Sequence, residues 1–406
     1  MQPIYKIIVK IKIFKECVLY MAMDYLNMIE ETVVVKGLEG KIIMIYGGNN
    51  LGKSKQSTKF PKSITLPFEP NALNAIGGAK KLPIHDWVGF KDFTDSMYKD
   101  KLTLEKNKRK LEKAESDLSK VKKEDKKDIE EEIENLKNKI NTSPYTKFRE
   151  QVSTIVMDSL TALAKSAEKY TTDAADVTEL YEGNRGQLYK RFENEAYHTI
   201  NKFFNLGDFT YLILAHEDFR NIGTEEEPIN QAIPKGDWKR IVKPVVDRCD
   251  IIAYLYSNGM DENYKAIPSS AILVECNKCF ARTKWDNMAT FIKEYSAENL
   301  EKAVAEAIRE QEQNGVKVGT FEEQQSSYID TLSVDYEEIK NEIGELVKQI
   351  YSYDDEDVEG ENMTKYNTIV EEILGVDKKV SDTNEKQVKV LELILSKTKE
   401  IVANLK

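Results

Sequence analysis

Residues 41–58 read KIIMIYGGNNLGKSKQST. The apolar run Ile42, Ile43, Met44, Ile45, Tyr46 shows no polar alternation, and it predicts a short strand buried on both faces. Gly47 and Gly48 end the run, and Gly47, Gly52, Lys53 and Ser54 fit the pattern G-x-x-x-x-G-K-[ST]. Glycines in such a loop let the backbone curl until its N–H groups converge on phosphate oxygens. The residues expected to form the cradle are Gly47, Gly48, Asn49, Asn50, Leu51, Gly52, Lys53, Ser54 and Lys55. A helix opening near Gly52 adds the positive end of its dipole. Lys53 can reach β- and γ-phosphates, and the Ser54 hydroxyl can hold Mg²⁺, so ATP with Mg²⁺ is the expected ligand. Asn49 and Asn50 stand where such loops more often carry Pro, Gly or Ser. Asn tolerates left-handed backbone, so the turn remains feasible. A glycine-rich surface turn is the bland alternative, and the apolar strand directly before it argues against that.

With 406 residues the chain is too long for one compact core, so one large domain with additions is expected. The charged share of 32% points to long solvated helices. A net charge of −11 excludes coating nucleic acid over the whole surface and leaves room for a local basic face. The cysteines, Cys17, Cys249, Cys276 and Cys279, are too few for a disulfide scaffold, so a reducing cytoplasm is expected. Cys276 and Cys279 form a lone C-x-x-C without a second pair or a nearby His, which favours buried thiols over zinc. In residues 1–20, Lys10, Lys12 and Lys15 interrupt every apolar run, so neither a signal peptide nor a membrane span is expected. That stretch reads as a non-core extension ahead of a true start at Met21 or Met23.

Farther along, Ser63 to Phe68 predicts a second strand with Glu69 at its C-terminal end, the edge where ligand chemistry collects in open α/β sheets. Glu69 is a candidate base to orient water against the γ-phosphate, or an ordinary loop carboxylate. Residues 71–97 read as loop, helix and strand, with His85 lacking a visible partner. Residues 98–142 carry two heptad seams, Leu104, Leu111, Ala114, Leu118, Val121 and Ile129, Ile133, Leu136, Ile140, parted near Lys123–Asp125; this predicts an antiparallel coiled-coil hairpin. Val152 to Met157 is a strand ending at Asp158, a carboxylate placed to orient the Mg²⁺ shell; the signal is weak alone and strong beside the loop upstream. Residues 160–207 read as helical with a polar interruption. Phe209 to Ala215 ends at His216, which suits sensing the γ-phosphate or, equally, a capping role. Residues 218–240 read as a long polar loop ending in Lys235, Trp238, Lys239 and Arg240, the composition of a single-strand-binding loop. A Trp packed on the sheet would look the same. Asp250 to Tyr256 and Ser270 to Glu275 predict a hairpin around Asn258-Gly259, with Arg282 and Lys284 beyond it. Residues 297–406 read as an acidic helical module with seams on Ile339, Ile343, Leu346 and Ile350, on Ile369 and Ile373, and on Val388, Leu391 and Leu395, the last opened by the capping box Asp382-x-x-Glu385. Asp355, Asp357, Glu359 and Gly360 mimic a calcium loop, but Tyr366 stands where a bidentate Glu is needed, so a solvated acidic loop is expected.

This order resembles the RecA-type ATPase core, and more closely the phage-encoded, AAA-like RecA ATPases of the Sak type, implicated in single-strand annealing and recombination. The matching text is IYGGNNLGKS, LPFEPNALNAIGG, TIVMDSLTAL, YLILAHE and FARTKW, within residues 35–295 apart from the hairpin. The resemblance implies an α/β, RecA-like P-loop core with a mainly parallel sheet over 21–97 and 143–296, with the hairpin 98–142 inserted and the module 297–406 appended. It implies that Glu69 is the catalytic glutamate and His216 the γ-phosphate sensor, acting with Lys53 and Asp158. Arg282 and Lys284 are then candidates to reach a neighbour's nucleotide in a homo-oligomer. Single-stranded DNA is the implied partner, with a single-strand-binding protein as a further candidate, in a bacterial host's cytoplasm. A helicase-like or helicase-loading motor and an ATP-gated scaffold that binds a protein through its hairpin and C-terminal helices are the competing functions.

Overall fold

The computed structural model describes residues 31–118, 126–183, 186–207, 209–326, 336–384 and 387–405. The expected extension 1–20, the starts at Met21 and Met23, the break near Lys123–Asp125 and Glu385 of the expected capping box lie outside these residues. The chain divides into two compact units, one up to Lys99 and from Pro144 to Tyr328, the other Asp100–Ser143 with Ile329–Lys406.

In the first unit the chain runs through β1 (Val34–Val35), β2 (Ile42–Gly47), the short helix α1 (Lys53–Ser57) and β3 (Ser63–Pro67). The long helix α2 (Trp87–Leu118) and then α3 (Lys126–Thr142) lead to α4 (Pro144–Gln151), β4 (Thr154–Asp158), α5 (Leu160–Asp173), α6 (Gln187–Phe204) and β5 (Thr210–Ala215). Next come β6 (Glu217–Asn221), β7 (Asn230–Pro234), α7 (Lys243–Arg248), β8 (Ile251–Tyr256), β9 (Ser270–Ile272), β10 (Arg282–Thr283) and β11 (Phe291–Ile292). The helix α8 (Ala297–Gln313), β12 (Val318–Gly319) and α9 (Phe321–Ser326) close the unit.

The central sheet has the order β11-β9-β8-β2-β5-β4-β3, with β10 also on β8. The run β8-β2-β5-β4-β3 is parallel, and β9, β10 and β11 are antiparallel additions at the β8 edge. Every residue of β2, β4 and β5 is buried, as the unbroken apolar runs require of strands covered on both faces. On one face Ile43, Ile45, Leu212, Leu214, Ile251 and Ala253 pack against Leu300, Val304 and Ile308 of α8. An aromatic layer holds other elements together, with Phe203 lying 5.0 Å from both Phe90 and Tyr211.

The fold departs from the sequence reading at four places. Residues 71–97 hold no strand among the described residues beyond an isolated bridge at Lys81; instead α2 begins at Trp87, because Trp87, Phe90 and Met97 bury a helical face. His85 does have a partner, the Pro67 carbonyl 3.0 Å from its Nδ1. Residues 218–240 are not a loop: β6 and β7 form an antiparallel hairpin, followed by one turn of π-helix over Trp238–Val242. Its polar strands escape the usual pattern because β7 is fastened from outside, by hydrogen bonds from Ala232 N to Lys278 O and from Phe280 N to Ala232 O. Finally, α8 belongs to the sheet's core and β12 pairs in parallel with β1, so the sheet-bearing unit passes the expected boundary at 296 and runs to Tyr328.

In the second unit, Leu104 and Ala114 of α2 and Ile133 and Leu136 of α3 are buried, and Lys137 pairs with Glu115 at 2.8 Å. The helices α10 (Tyr336–Tyr353), α11 (Glu361–Leu374) and α12 (Val388–Ala403) share a core of Ile339, Ile343, Val370, Leu391, Ile394 and Leu395. Asp354, in the acidic loop, accepts from the backbone N–H groups of Asn362 and Met363 at 2.8 Å each, so it caps α11. Among the described residues no three or more His, Cys, Asp or Glu side chains are grouped so as to hold a metal ion. Asp382 accepts from the Lys379 N–H at 2.9 Å, ahead of α12.

Candidate functional site

The parallel strands deliver their C-terminal ends to one edge. The partners Pro67↔Asp158, Asp158↔Leu214 and Ile45↔Leu214 put the ends of β3, β4, β5 and β2 in one row. Beyond that row the chain supplies Glu69 after β3, Asp158 at the end of β4, His216 after β5, and the loop 47–54 after β2. The strand β5 lies between the loop-bearing strand and the strand that carries Asp158.

The loop is built around left-handed backbone. Gly47 has φ 149°, Gly52 has φ 81°, and Asn50 takes φ 62°, the tolerance expected of Asn at this turn. A methyl group at Gly47 would sit 2.4 Å from the Leu255 carbonyl oxygen, and one at Gly48 would sit 2.9 Å from Glu217 Oε1. Gly47 is therefore required by space, because its neighbour is a fixed backbone carbonyl, whereas at Gly48 the neighbour is the tip of a movable side chain. The helix α1 spans only Lys53–Ser57, so its dipole is small, and Lys53 with the loop amides must supply most of the attraction for an anion.

Lys53 is buried, and its Nζ donates to the carbonyls of Gly47 at 2.9 Å and Gly48 at 2.5 Å. Burial lowers its pKa, and the charges of Asp158, Glu217 and Glu69 oppose that shift. Burial likewise raises the Asp158 pKa, offset by Ser54 and Lys53. Asp158 Oδ2 is buried without a hydrogen-bond partner, a costly state for a carboxylate oxygen unless a cation meets it. The Ser54 hydroxyl beside an unsatisfied Asp158 oxygen fits a hard, oxygen-liganded cation such as Mg²⁺. The glycine cradle and buried Lys53 fit the phosphates of a nucleotide.

Glu69 accepts from the Ser159 hydroxyl at 2.5 Å and pairs with His216 Nε2 at 2.8 Å. The His216 hydrogen bond, reinforced by Ser159 against the cost of burial, holds the Glu69 pKa down to about 2. As arranged, Glu69 is an orienting carboxylate with little affinity for a proton. Thr161 fixes the next step of the chain: its hydroxyl accepts from the His216 N–H at 3.1 Å and donates to the Lys235 carbonyl at 3.2 Å.

A P-loop, a carboxylate on the second strand over and a Glu–His pair gather at one sheet edge, and residues 39–291 match the family described as AAA domain. The chain belongs to the AAA-domain family. The SPbeta prophage-derived uncharacterized protein YorG of Bacillus subtilis (strain 168) is 37% identical to it over 385 residues, which cover 94% of this chain and 100% of that relative.

Of the remaining candidates, Lys235 borders this edge, its N–H donating to the His216 carbonyl at 2.9 Å. Trp238 is half-buried edge-on against Phe280, 5.6 Å between ring centres, with the Arg220 guanidinium over its face. Arg240 is tied to Asp237 and lies 4.3 Å from the Tyr189 ring centre. Lys235 and Lys239 are exposed. Arg282 donates to the Val246 carbonyl and Lys284 to Asp250, and both lie near the N-terminal end of β8, opposite the P-loop end. Cys276 is exposed, against the expectation of buried thiols, while Cys279 is buried 3.8 Å from it. No described helix of this AAA protein is long and apolar enough to cross a membrane. The residue missed by the sequence reading is Glu217, whose carboxylate borders Gly48 and accepts from the Tyr254 hydroxyl at 3.0 Å. Its only sequence signal is its place directly after His216.

Proposed function

We propose that this protein is a phage-derived, Mg²⁺-dependent P-loop ATPase that acts on single-stranded DNA in recombination, annealing or replication, working as a homo-oligomer in the host cytoplasm. The observation that carries the ATPase part is the shared edge at which buried Lys53, unsatisfied Asp158 and the Glu69–His216–Ser159 network meet. Lys53 turns from its own loop carbonyls to the terminal phosphates. Ser54 and Asp158 hold the metal ion, which when bound neutralises phosphate charge. Glu69 orients the attacking water, and His216 holds Glu69 in place. The prophage relative supports the phage setting. The DNA part rests on the resemblance to Sak-type proteins and on exposed Lys235 and Lys239 beside the β6–β7 hairpin, where Phe219 is also exposed.

One observation favours a second reading. Glu69 is already engaged by the Ser159 hydroxyl and His216 Nε2, which suits slow turnover and an ATP-gated scaffold that binds a partner such as a single-strand-binding protein. The deciding experiment is ATP turnover with and without single-stranded DNA at low salt, with mass photometry under the same conditions. Turnover raised severalfold by DNA, together with an ATP-dependent oligomer, supports the recombination reading. A DNA-indifferent monomer that binds ATP supports the scaffold reading.

A further inference from the structure

The connection between β9 and β10 carries Cys276 and Cys279 on the two arms of a tight turn. Cys276 N donates to Cys279 O at 3.1 Å and Cys279 N to Cys276 O at 3.2 Å, with Asn277 and Lys278 between them. Two residues that exchange both backbone bonds in this way have Cα atoms about 5.5 Å apart. That matches the commonest Cα separation across a disulfide, about 5.5–6 Å. Both thiols are free, and their sulfurs lie 3.8 Å apart. A bond between them therefore needs side-chain rotation and no new backbone path.

The two thiols differ in access. Cys276 is exposed, between exposed Glu275 and Asn277, whereas Cys279 is buried. Burial, with Cys276 beside it, raises the Cys279 pKa to about 12, so Cys279 stays protonated at neutral pH and inert toward reagents in solution. The turn also holds a neighbouring strand. Lys278 O accepts from the Ala232 N–H in β7 at 3.0 Å, Phe280 N donates to the Ala232 carbonyl at 2.9 Å, and Cys276 O accepts from Gln231 Nε2 at 2.9 Å.

We propose that Cys276 and Cys279 form a thiol–disulfide site, oxidised by a small-molecule disulfide, whose closure stiffens the fastening of β7. The proposal goes beyond the ATPase reading and does not rest on it. The Cys276 thiolate attacks one sulfur of the small disulfide; the reagent's S–S bond breaks, and one thiolate leaves and takes up a proton. Cys279 then attacks Sγ of Cys276 and gives up its proton, and the second small thiol leaves as the protein disulfide forms. The protein loses two electrons and two protons, and the reagent gains them as two thiols. Exposure makes Cys276 the entry sulfur, and burial beside it makes Cys279 the resolving one. A dithiol reductant reverses both steps. The new bond removes freedom from the turn, so its contacts with Gln231 and Ala232 open less often.

The test uses the full chain equilibrated in mixtures of reduced and oxidised glutathione, read by intact mass, peptide mapping and hydrogen–deuterium exchange. The parent should lose two hydrogen atoms in a bond mapped between Cys276 and Cys279 and regain them in dithiothreitol. When oxidised it should show severalfold slower exchange over residues 231–232 and 279–280, with β2 and β5 unchanged. Cys279→Ser should trap glutathione on Cys276, because the resolving thiol is gone, whereas Cys276→Ser should take up none on Cys279. The absence of a bond between the two cysteines in oxidised glutathione, or a bond formed only between chains, overturns the site. Equal glutathione uptake in the two variants overturns the assigned order of attack. A disulfide that leaves exchange at Ala232 at the reduced protein's rate overturns its hold on β7. The bond and the exchange are read on the parent, so a variant that fails to fold leaves both tests standing.

Discussion

The placement of Lys53 and Asp158 at one sheet edge was legible from sequence because it is tied to short spacing: an apolar strand, a glycine loop, a lysine, and a second apolar strand that ends in Asp. Lys53→Ala should cost at least about a hundredfold in Mg-ATP affinity, read by calorimetry, since it removes the buried cation from the cradle. Glu217 was not legible, because its meaning comes from Gly48 and Tyr254, which are distant in the chain. The Glu69–His216 pair makes a pH prediction. The folded Glu69 pKa, about 2, lies below its usual 4.5, so the folded state holds fewer protons than the unfolded one between these values. The stability the pair contributes is therefore complete above about pH 4.5 and is lost as pH falls toward 2. His216→Ala should lower the urea midpoint at neutral pH, and the gap from the parent should narrow as pH drops through that window. A gap that is constant with pH would show that His216 does not govern Glu69.

Among the elements, strands came through the sequence better than their surroundings. The runs in β2, β4 and β5 are unbroken because both faces are covered, whereas β6 and β7 carry mixed, mostly polar residues and are held by Lys278, Phe280 and Tyr46 from elsewhere. The aromatic-and-cation text at 235–240 was ambiguous for the same reason: Trp238 is half-buried against Phe280, and composition does not reveal that contact. Gly47→Ala should destabilise the protein by roughly 2–4 kcal/mol, because its methyl group meets a backbone carbonyl rather than a flexible side chain. Urea unfolding checks this, and Gly78→Ala, at an open surface turn, serves as the milder control. Replacing residues 100–141 with a short Gly/Ser linker should leave a folded protein that still binds Mg-ATP. Loss of nucleotide binding in that variant would mean that the helical arms support the site.

For the molecule as a whole, composition foretold a large core with charged helical additions, but it set the boundary at 296 because residues beyond it are acidic on average. The helix α8 is amphipathic, and its apolar stripe covers the sheet, which a net-charge reading overlooks. Truncation after Tyr328 should therefore keep Mg-ATP affinity within about threefold, while truncation after Tyr295 should unfold the sheet by stripping Leu300, Val304 and Ile308 from its core. Circular dichroism melting and calorimetry distinguish the two.

The strand order has a consequence for how the chain is made. The P-loop strand β2 has β5 and β8 as its only neighbours in the sheet, and both are synthesised much later. At 5–20 residues per second, the stretch from Gly47 to Thr210 takes roughly 8–30 s to emerge from a ribosome. Throughout that interval an apolar segment, Ile42 to Tyr46, has no partner strand. The nascent chain should recruit a chaperone in this window, and a synonymous change that slows translation between β2 and β5 should lower the soluble yield without altering the finished protein.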